Sequence, residues 1–166
     1  MAARSTVMSL LLVRPAEALA PGVLAKALRV ERPVVVHLWD RKPTELESFA
    51  IDDVSNAARE SGAAALLCPP ALVKVFAEEQ QRHQGDFPGP LPVVCDCPLI
   101  DMTDDDAALQ VARGAKELGA CALGLIYYAK DWPDAATLEI ALQRATVAAE
   151  RAGLDSLLLA EFGKGG

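Results

Sequence analysis

The chain has 166 residues, of which 52% are apolar and 23% charged, and its formal net charge is −7. This length predicts a single domain over residues 1–166, because one domain commonly takes about 100–200 residues. A complete eight-stranded (β/α) barrel is not expected, since it typically needs about 250 residues. No apolar run approaches the roughly 20 residues of a membrane-spanning helix. No basic face is available for phosphate backbones either, so neither a membrane span nor a nucleic-acid partner is expected.

The N-terminal segment, residues 1–15, allows two interpretations. It contains Arg4 and Arg14, several hydroxyl residues and no acidic residue, which is similar to an organellar transit peptide. The alternative is an ordinary N-terminal arm. Four cysteines in a chain of this size do not indicate a secreted disulfide scaffold, so we expect a reducing intracellular compartment. If the segment is a targeting remnant, that compartment is an organelle such as the plastid.

A pattern of helix, glycine and apolar strand occurs three times along the chain. It covers residues 60–68, 117–126 and 151–160. Glycine directly after a helix favours the left-handed cap conformation, and an apolar run without alternation is typical of a strand buried on both faces. The repetition therefore predicts consecutive βα units.

Two further β-rich stretches complete a set of five predicted strands, at about 33–39, 63–68, 91–96, 121–127 and 155–161. Helices are predicted near residues 16–29, after Asp52-Asp53, from Pro69-Pro70, from the N-cap Thr103 and from Pro133. This order predicts an α/β domain with a parallel five-stranded sheet. The sheet is either a partial TIM-barrel-like wall or a flavodoxin-like doubly wound sheet, and the alternation alone does not distinguish them.

Residues 21–159 resemble indole-3-glycerol phosphate synthase, a (β/α)₈ enzyme of tryptophan biosynthesis. The most specific segment runs from Leu91 to Asp101, LPVVCDCPLID, and is similar to the third strand of that family, LPVL-x-KDFIID. The segment from Asp53 to Leu66 resembles the family's first helix and second strand. Residues 22–28, followed by the run Pro33-Val-Val-Val, resemble the helix and strand that precede them.

The chain departs from the family at the positions where the resemblance implies catalysis. The Glu and Lys of the family's first strand correspond to His37 and Trp39, and Lys42-Pro43-Thr44 stands in place of its Ser-Pro-Ser. The general-acid Lys of the third strand corresponds to Asp96. The Glu of the fifth strand falls on Leu159, with Glu161 two residues further on as a substitute if the register differs. The resemblance also implies three more strands with phosphate-binding loops, which this sequence does not contain. We therefore expect the synthase reaction to be lost.

His37, Asp96 and Glu161 are the candidate catalytic residues, the first two as an acid/base couple across neighbouring strands. The alternative for that pair is a polar remnant of a decayed site. Cys95 and Cys97 are predicted to be buried free thiols beneath helices rather than metal ligands, and His83 is predicted to be solvated. No metal and no cofactor are expected.

Trp39, Tyr127, Tyr128 and Trp132 are the candidate interface residues, since aromatic side chains at strand ends commonly anchor partners. The alternative is a ligand pocket. Together with the lost catalytic residues, they favour a non-catalytic, synthase-derived accessory subunit of a larger protein assembly. Two alternatives are an enzyme acting on a small phosphorylated or indolic compound, alone or with a second polypeptide that completes the barrel, and a flavodoxin-like ligand-binding module.

Overall fold

A six-stranded sheet forms the centre of the molecule in a computed structural model, which describes residues 10–11, 35–38 and 48–161. Its strands are β1 (Leu10–Leu11), β2 (Val35–His37), β3 (Ala65–Cys68), β4 (Val93–Pro98), β5 (Ala122–Tyr128) and β6 (Asp155–Glu161). From β2 to β6 the strands are parallel and each one pairs with the next in the chain. The two-residue β1 pairs antiparallel with β6. The five predicted parallel strands are thus confirmed, with β4 ending two residues later than predicted.

The strand order decides between the two predicted folds. A flavodoxin-like sheet places its first strand between the second and third, and its helices cover both faces. Here the order follows the chain from β2 to β6, so right-handed crossovers carry every connecting helix to the same face. The doubly wound alternative is therefore wrong, and the sheet is one curled wall of a barrel.

Four helices occupy the connections between the parallel strands: α1 (Ser48–Glu60), α2 (Pro70–Gln81), α3 (Asp105–Glu117) and α4 (Ala135–Ala152). Among the described residues, no helix is long and apolar enough to cross a bilayer. The predicted helix near residues 16–29 lies outside the described residues.

Local chemistry accounts for where these helices begin and end, and corrects three predicted starts. The N-cap of α3 is Asp104 rather than Thr103, since the Asp104 carboxylate accepts a hydrogen bond from the backbone N–H of Ala107. Pro133 precedes α4 by two positions, because Asp134 caps that helix in the same way. Helix α1 begins at Ser48, four residues before the acidic pair that was predicted to introduce it. Pro70 is the first residue of α2, as predicted.

The glycine of each repeated junction has the predicted left-handed conformation. The φ angles are 73° at Gly62, 97° at Gly119 and 72° at Gly153. A residue with a Cβ atom adopts such angles only with strain. These glycines end the helices and turn the chain into β3, β5 and β6, which confirms the βα-repeat interpretation.

Side chains of the parallel strands alternate between two apolar layers. One layer faces the helices and forms the larger core, with Leu66, Cys95, Leu123 and Leu158 among its members. The other layer lies on the opposite face, which we call the inner face. Its buried apolar members are Ala65, Leu67, Val94, Ala122, Ile126, Leu157 and Leu159. All seven are at most 5% exposed.

Candidate functional site

His37 and Asp96 form a direct contact on the inner face. The distance from His37 Nε2 to Asp96 Oδ2 is 3.1 Å, and their side chains are 7% and 20% exposed. His37 is the last residue of β2, whereas Asp96 lies within β4. The sequence interpretation placed the pair on neighbouring strands, but β3 lies between β2 and β4. The predicted pair therefore exists, and it bridges over the intervening strand.

The order of the sheet explains how two distant residues meet. In the registers, His37 is beside Leu67, and Leu67 is beside Val94, two residues before Asp96. Strand β3 ends one residue after Leu67, at Cys68. The His37 and Asp96 side chains therefore meet diagonally across the end of β3.

A histidine held by a carboxylate has the arrangement used for proton transfer. The Asp96 carboxylate accepts a hydrogen bond from the Nε2–H of His37, which orients the imidazole ring. Proton transfer to a substrate also needs an unoccupied position next to the imidazole, and an anionic substrate needs a cation. No inner-face strand position in the described residues carries Lys or Arg. A cation near these strand ends is Lys130, whose Nζ lies 5.7 Å from the ring centre of Tyr128.

Gly124 lies beside Asp96 in β5 and allows the inner face to pack tightly. A Cβ atom placed on Gly124 would be 2.6 Å from Leu67 Cδ1 and 3.3 Å from atoms of Val94 and Leu159. The Leu67 side chain thus extends across β4 toward β5. Apolar side chains therefore occupy the space over Gly124, next to Asp96.

The other candidate catalytic positions lie on β6. Leu159 faces inward and is 1% exposed, so the position that corresponds to the family's Glu is part of the apolar layer. Glu161 pairs with Tyr128 in the register, which places it on the same face, two residues further along. The Glu161 side chain, Trp39 and residues 42–44 lie outside the described residues.

The aromatic candidates do not form one surface. Tyr127 and Trp132 are half-buried against the helix-side core, whereas Tyr128 packs against the inner-face cluster. The alternation of β5 places consecutive tyrosines on opposite faces. Each of the three residues is partly exposed, and their role as interface residues stays a prediction.

The cysteines are free thiols, and Cys95 and Cys97 lie beneath the helices as predicted. Their sulfur atoms are 3.7 Å apart, and the Cys97 thiol donates toward Cys95. That hydrogen bond, together with burial, raises the pKa of Cys97 far above its ordinary value. Burial likewise raises the pKa of Cys121, to about 11. Within the described ranges, no group of three or more His, Cys, Asp or Glu side chains has an arrangement suited to a metal ion.

A second polar cluster, which the sequence interpretation missed, lies on the helix side. His83 was predicted to be solvated, but its side chain is only 18% exposed and is held between two carboxylates. Its Nε2 is 2.7 Å from Glu79 Oε1, and its Nδ1 is 2.8 Å from Asp86 Oδ2. Both ring nitrogens can donate to carboxylates only in the imidazolium form. The spacing of Glu79, His83 and Asp86 along a helix end could have indicated this contact.

The charges around His83 determine how it titrates. Hydrogen bonds to Asp86 and Glu79 raise the pKa of His83. Burial opposes ionisation of Glu79, but hydrogen bonds with His83 and Asp52 lower its pKa overall. Arg59 approaches from α1, with Nη1 3.7 Å from Asp86 Oδ2. The cluster thus joins α1, the end of α2 and the loop that follows.

Comparisons with known proteins give little further information. No family model matches the chain, and no curated protein matches it. Among solved structures, a crystal structure described as a deoxyribose-phosphate aldolase from Coccidioides immitis is similar, with a TM-score of 0.49 and 19% identity. The match covers 85% of this chain and 50% of that chain. The chain therefore spans about half the length of the structure it matches.

Proposed function

We propose that this chain is a non-catalytic accessory subunit of a larger protein assembly, derived from an indole-3-glycerol phosphate synthase-like barrel. One observation carries the proposal. At the described inner-face strand positions that correspond to the family's catalytic Glu and Lys, the chain has His37 and Asp96, and these two are bonded to each other. The position of a third catalytic residue is taken by buried Leu159.

Electrostatics supports the loss of the family's reaction. The resemblance places a cationic general acid where this chain has Asp96. At 4 Å and an effective dielectric constant of about 20, exchanging a cation for an anion changes the interaction with a substrate anion by roughly 8 kcal/mol. No lysine or arginine among the described inner-face strand positions offsets that change. Binding of a carboxylate or phosphate group at this place would be strongly unfavourable.

The partner in this proposal is another protein, bound through surfaces outside the inner face. Within the described part of the sheet, β2 pairs only with β3, which leaves one edge where a strand of a partner could add. The exposed parts of Tyr127 and Trp132, on the helix side of the sheet, are a second contact region. The setting is an intracellular organelle such as the plastid if residues 1–15 act in targeting.

The native mass of the protein isolated from its source tests this proposal. We expect it to migrate in a complex several times larger than 17.6 kDa, with the same co-migrating proteins in repeated preparations. Truncating Tyr127 and Trp132 together to Ala should release the chain from that complex, whereas Lys74→Ala on the exposed face of α2 should not. A chain that migrates alone at its own mass would contradict the accessory role.

A second candidate function is acid/base catalysis by His37 and Asp96 on a small phosphorylated or indolic compound. The 3.1 Å contact at the carboxyl-terminal end of β2 favours it, because barrel enzymes place catalytic groups at that end of the strands. NMR titration of the histidine ring signals with phosphorylated sugars and indole compounds would detect such a site. A shift of the His37 signals that Asp96→Asn abolishes would support an enzyme, and unchanged signals with every compound would argue against it.

A further inference from the structure

Two short contacts hold the His83 ring between carboxylates at the end of α2, and both depend on one proton. The ring approaches Glu79 at 2.7 Å through Nε2 and Asp86 at 2.8 Å through Nδ1. We call these three residues the His83 bridge. A carboxylate only accepts hydrogen bonds, so each contact needs an N–H on the ring, and only the imidazolium form has two. When the proton leaves, one ring nitrogen faces a carboxylate oxygen with a lone pair, so one contact must break.

Burial decides which of the two contacts survives. The Glu79 side chain is 5% exposed, whereas the Asp86 side chain is 55% exposed. A buried carboxylate that loses a donor costs more free energy than an exposed one, because water can replace the donor only at the exposed group. Arg82 also holds Glu79 in place, since its Nη1 donates to Glu79 Oε2 at 3.1 Å. The neutral ring should therefore keep its hydrogen on Nε2, and the contact with Asp86 should break.

The charges around the His83 bridge favour the protonated ring. Among the described residues, three carboxylates and two guanidinium groups gather there: Asp52 and Arg59 from α1, Glu79 and Arg82 from the end of α2, and Asp86 from the following loop. With all three carboxylates ionised, the imidazolium makes the cluster neutral. Hydrogen bonds to Asp86 and Glu79 raise the pKa of His83. The proton is therefore lost on the alkaline side of the ordinary histidine value of about 6.5.

Arg59 offers Asp86 a second partner. The distance from Arg59 Nη1 to Asp86 Oδ2 is 3.7 Å, which is close enough for attraction but too long for a hydrogen bond. The Arg59 Nη atoms donate to the carbonyl oxygen of Pro88 at 3.3 Å and to Asn56 Oδ1 at 2.8 Å. Its Nε is buried and has no hydrogen-bond partner among the described residues. The guanidinium group thus has an unused donor, and a carboxylate can accept from two of its N–H groups at once.

From this arrangement we propose that the His83 bridge is a pH-sensitive switch in which the Asp86 side chain has two positions. With the ring protonated, Asp86 is bonded to His83. When the proton is lost, Asp86 turns to Arg59, while the bond between His83 and Glu79 remains. The inference does not rest on the proposed accessory function, because it concerns only contacts within one chain.

The switch acts locally, on the loop between α2 and β4. Beyond Asp86, the backbone N–H of Leu91 donates to Gln80 Oε1 at 2.7 Å. Gln80 is itself buried, and its amide donates to Ser55. Neither side chain titrates, so this second attachment persists at every pH at which the chain is folded. The change is thus confined to the start of the loop, at the amino-terminal end of the sheet and away from His37 at the end of β2.

A histidine titration followed by NMR tests the switch on the unmodified chain. The chain contains two histidines, His37 and His83, and the His83→Gln variant identifies the signals of the second. Between about pH 6 and about pH 9.5, the nitrogen shifts of the His83 ring should show that Nδ1 loses its proton and Nε2 keeps it. The backbone amide signal of Asp86 and the Nε–H signal of Arg59 should move with the same midpoint. The amide signal of Leu91 should stay in place.

The Asp86→Asn variant separates the switch from a general effect of pH. A neutral amide no longer favours the imidazolium, so the midpoint of His83 should fall by about one pH unit. The Nε–H signal of Arg59 should then no longer follow the titration. Asp106→Asn is the matched control, because Asp106 is exposed in the first turn of α3 and lies outside the His83 bridge. It should leave the midpoint unchanged.

Several results would overturn the proposal. A neutral ring with its hydrogen on Nδ1 would show that Asp86 is kept and Glu79 released. Titration of His83 without any change at Asp86 and Arg59 would show that the carboxylate does not move, and a ring that stays protonated over the whole range would leave nothing to switch. A simultaneous change of amide signals throughout the sheet would indicate unfolding. These four results need no variant, so the test holds even if Asp86→Asn does not fold.

Discussion

Replacing Gly124 by Ala tests whether the inner face is packed as tightly as the structure indicates. The added Cβ atom would lie 2.6 Å from Leu67 Cδ1, closer than such atoms approach in folded proteins. Leu67 is fully buried and cannot move into solvent, and Val94 and Leu159 close the other directions at 3.3 Å. The methyl group can therefore be accommodated only by a shift of a neighbouring side chain or of a strand.

Overpacking of this kind lowers the free energy of unfolding by about 1–3 kcal/mol. For a chain of this length, each kcal/mol corresponds to roughly 2–4 °C in Tm. Urea unfolding monitored by circular dichroism, together with thermal melting, measures both quantities. Leu67→Val in the same chain should recover part of the loss, because it shortens the side chain that meets the new methyl group.

Gly114→Ala is the matched control. Gly114 lies within α3, and a Cβ atom there would meet nothing within 4 Å. Because glycine is a poor helix former, this variant should be more stable by up to about 1 kcal/mol. If Gly124→Ala were as stable as Gly114→Ala, the Leu67 side chain would not pack against β5, and the barrel-like inner layer described above would be wrong.

Two further predictions concern titratable groups. The pKa of His83 is raised in the folded state, so its bonds to Glu79 and Asp86 contribute stability below its ordinary pKa, and this contribution is lost as pH rises through the folded-state pKa. The free energy of unfolding of His83→Gln should therefore fall further below that of the unmodified chain at pH 5.5 than at pH 8.5. An equal loss of unfolding free energy at both pH values would refute the imidazolium bridge. Burial raises the pKa of Cys121 to about 11 and that of Cys68 further. Because the thiolate is the reactive form, both should react slowly with a thiol reagent at pH 8 and rapidly in urea. Labelling of the folded chain at the rate of free cysteine would show that the apolar layer around the labelled residue opens, which is the helix-side core for Cys68 and the inner-face layer for Cys121.

Much of the fold could be predicted because its signals are local. A glycine such as Gly153 after a helical stripe, followed by a continuous apolar run, depends on neighbouring residues only, and the structure follows it within two residues. The order of the strands could not be predicted in this way. Right-handed crossovers are equally compatible with a sheet wound on one face and one wound on both, and the choice depends on long-range pairing.

The candidate site shows the same division between local and long-range information. The period of two in β-strands placed His37 and Asp96 on one face, and the family resemblance singled out their positions. Neither indicated that β3 ends early enough for the two side chains to touch. His83 was misjudged for a related reason, because a polar sequence around it was taken as a solvated surface. Its second carboxylate partner is Asp86, which lies in the loop after α2 and is approached by Arg59 from α1.

The antiparallel strand β1 also limits how this molecule could have been completed by another polypeptide. In a complete barrel the next parallel strand would pair with β6. Here Leu10 and Leu11 already pair with Leu159 and Leu158 at that edge. A complementing fragment would first have to displace the chain's own N-terminal strand, and it would compete with a segment tethered at high local concentration. Pairing of a strand from another polypeptide with β6 is therefore disfavoured, because the chain's own N-terminal strand already occupies that edge.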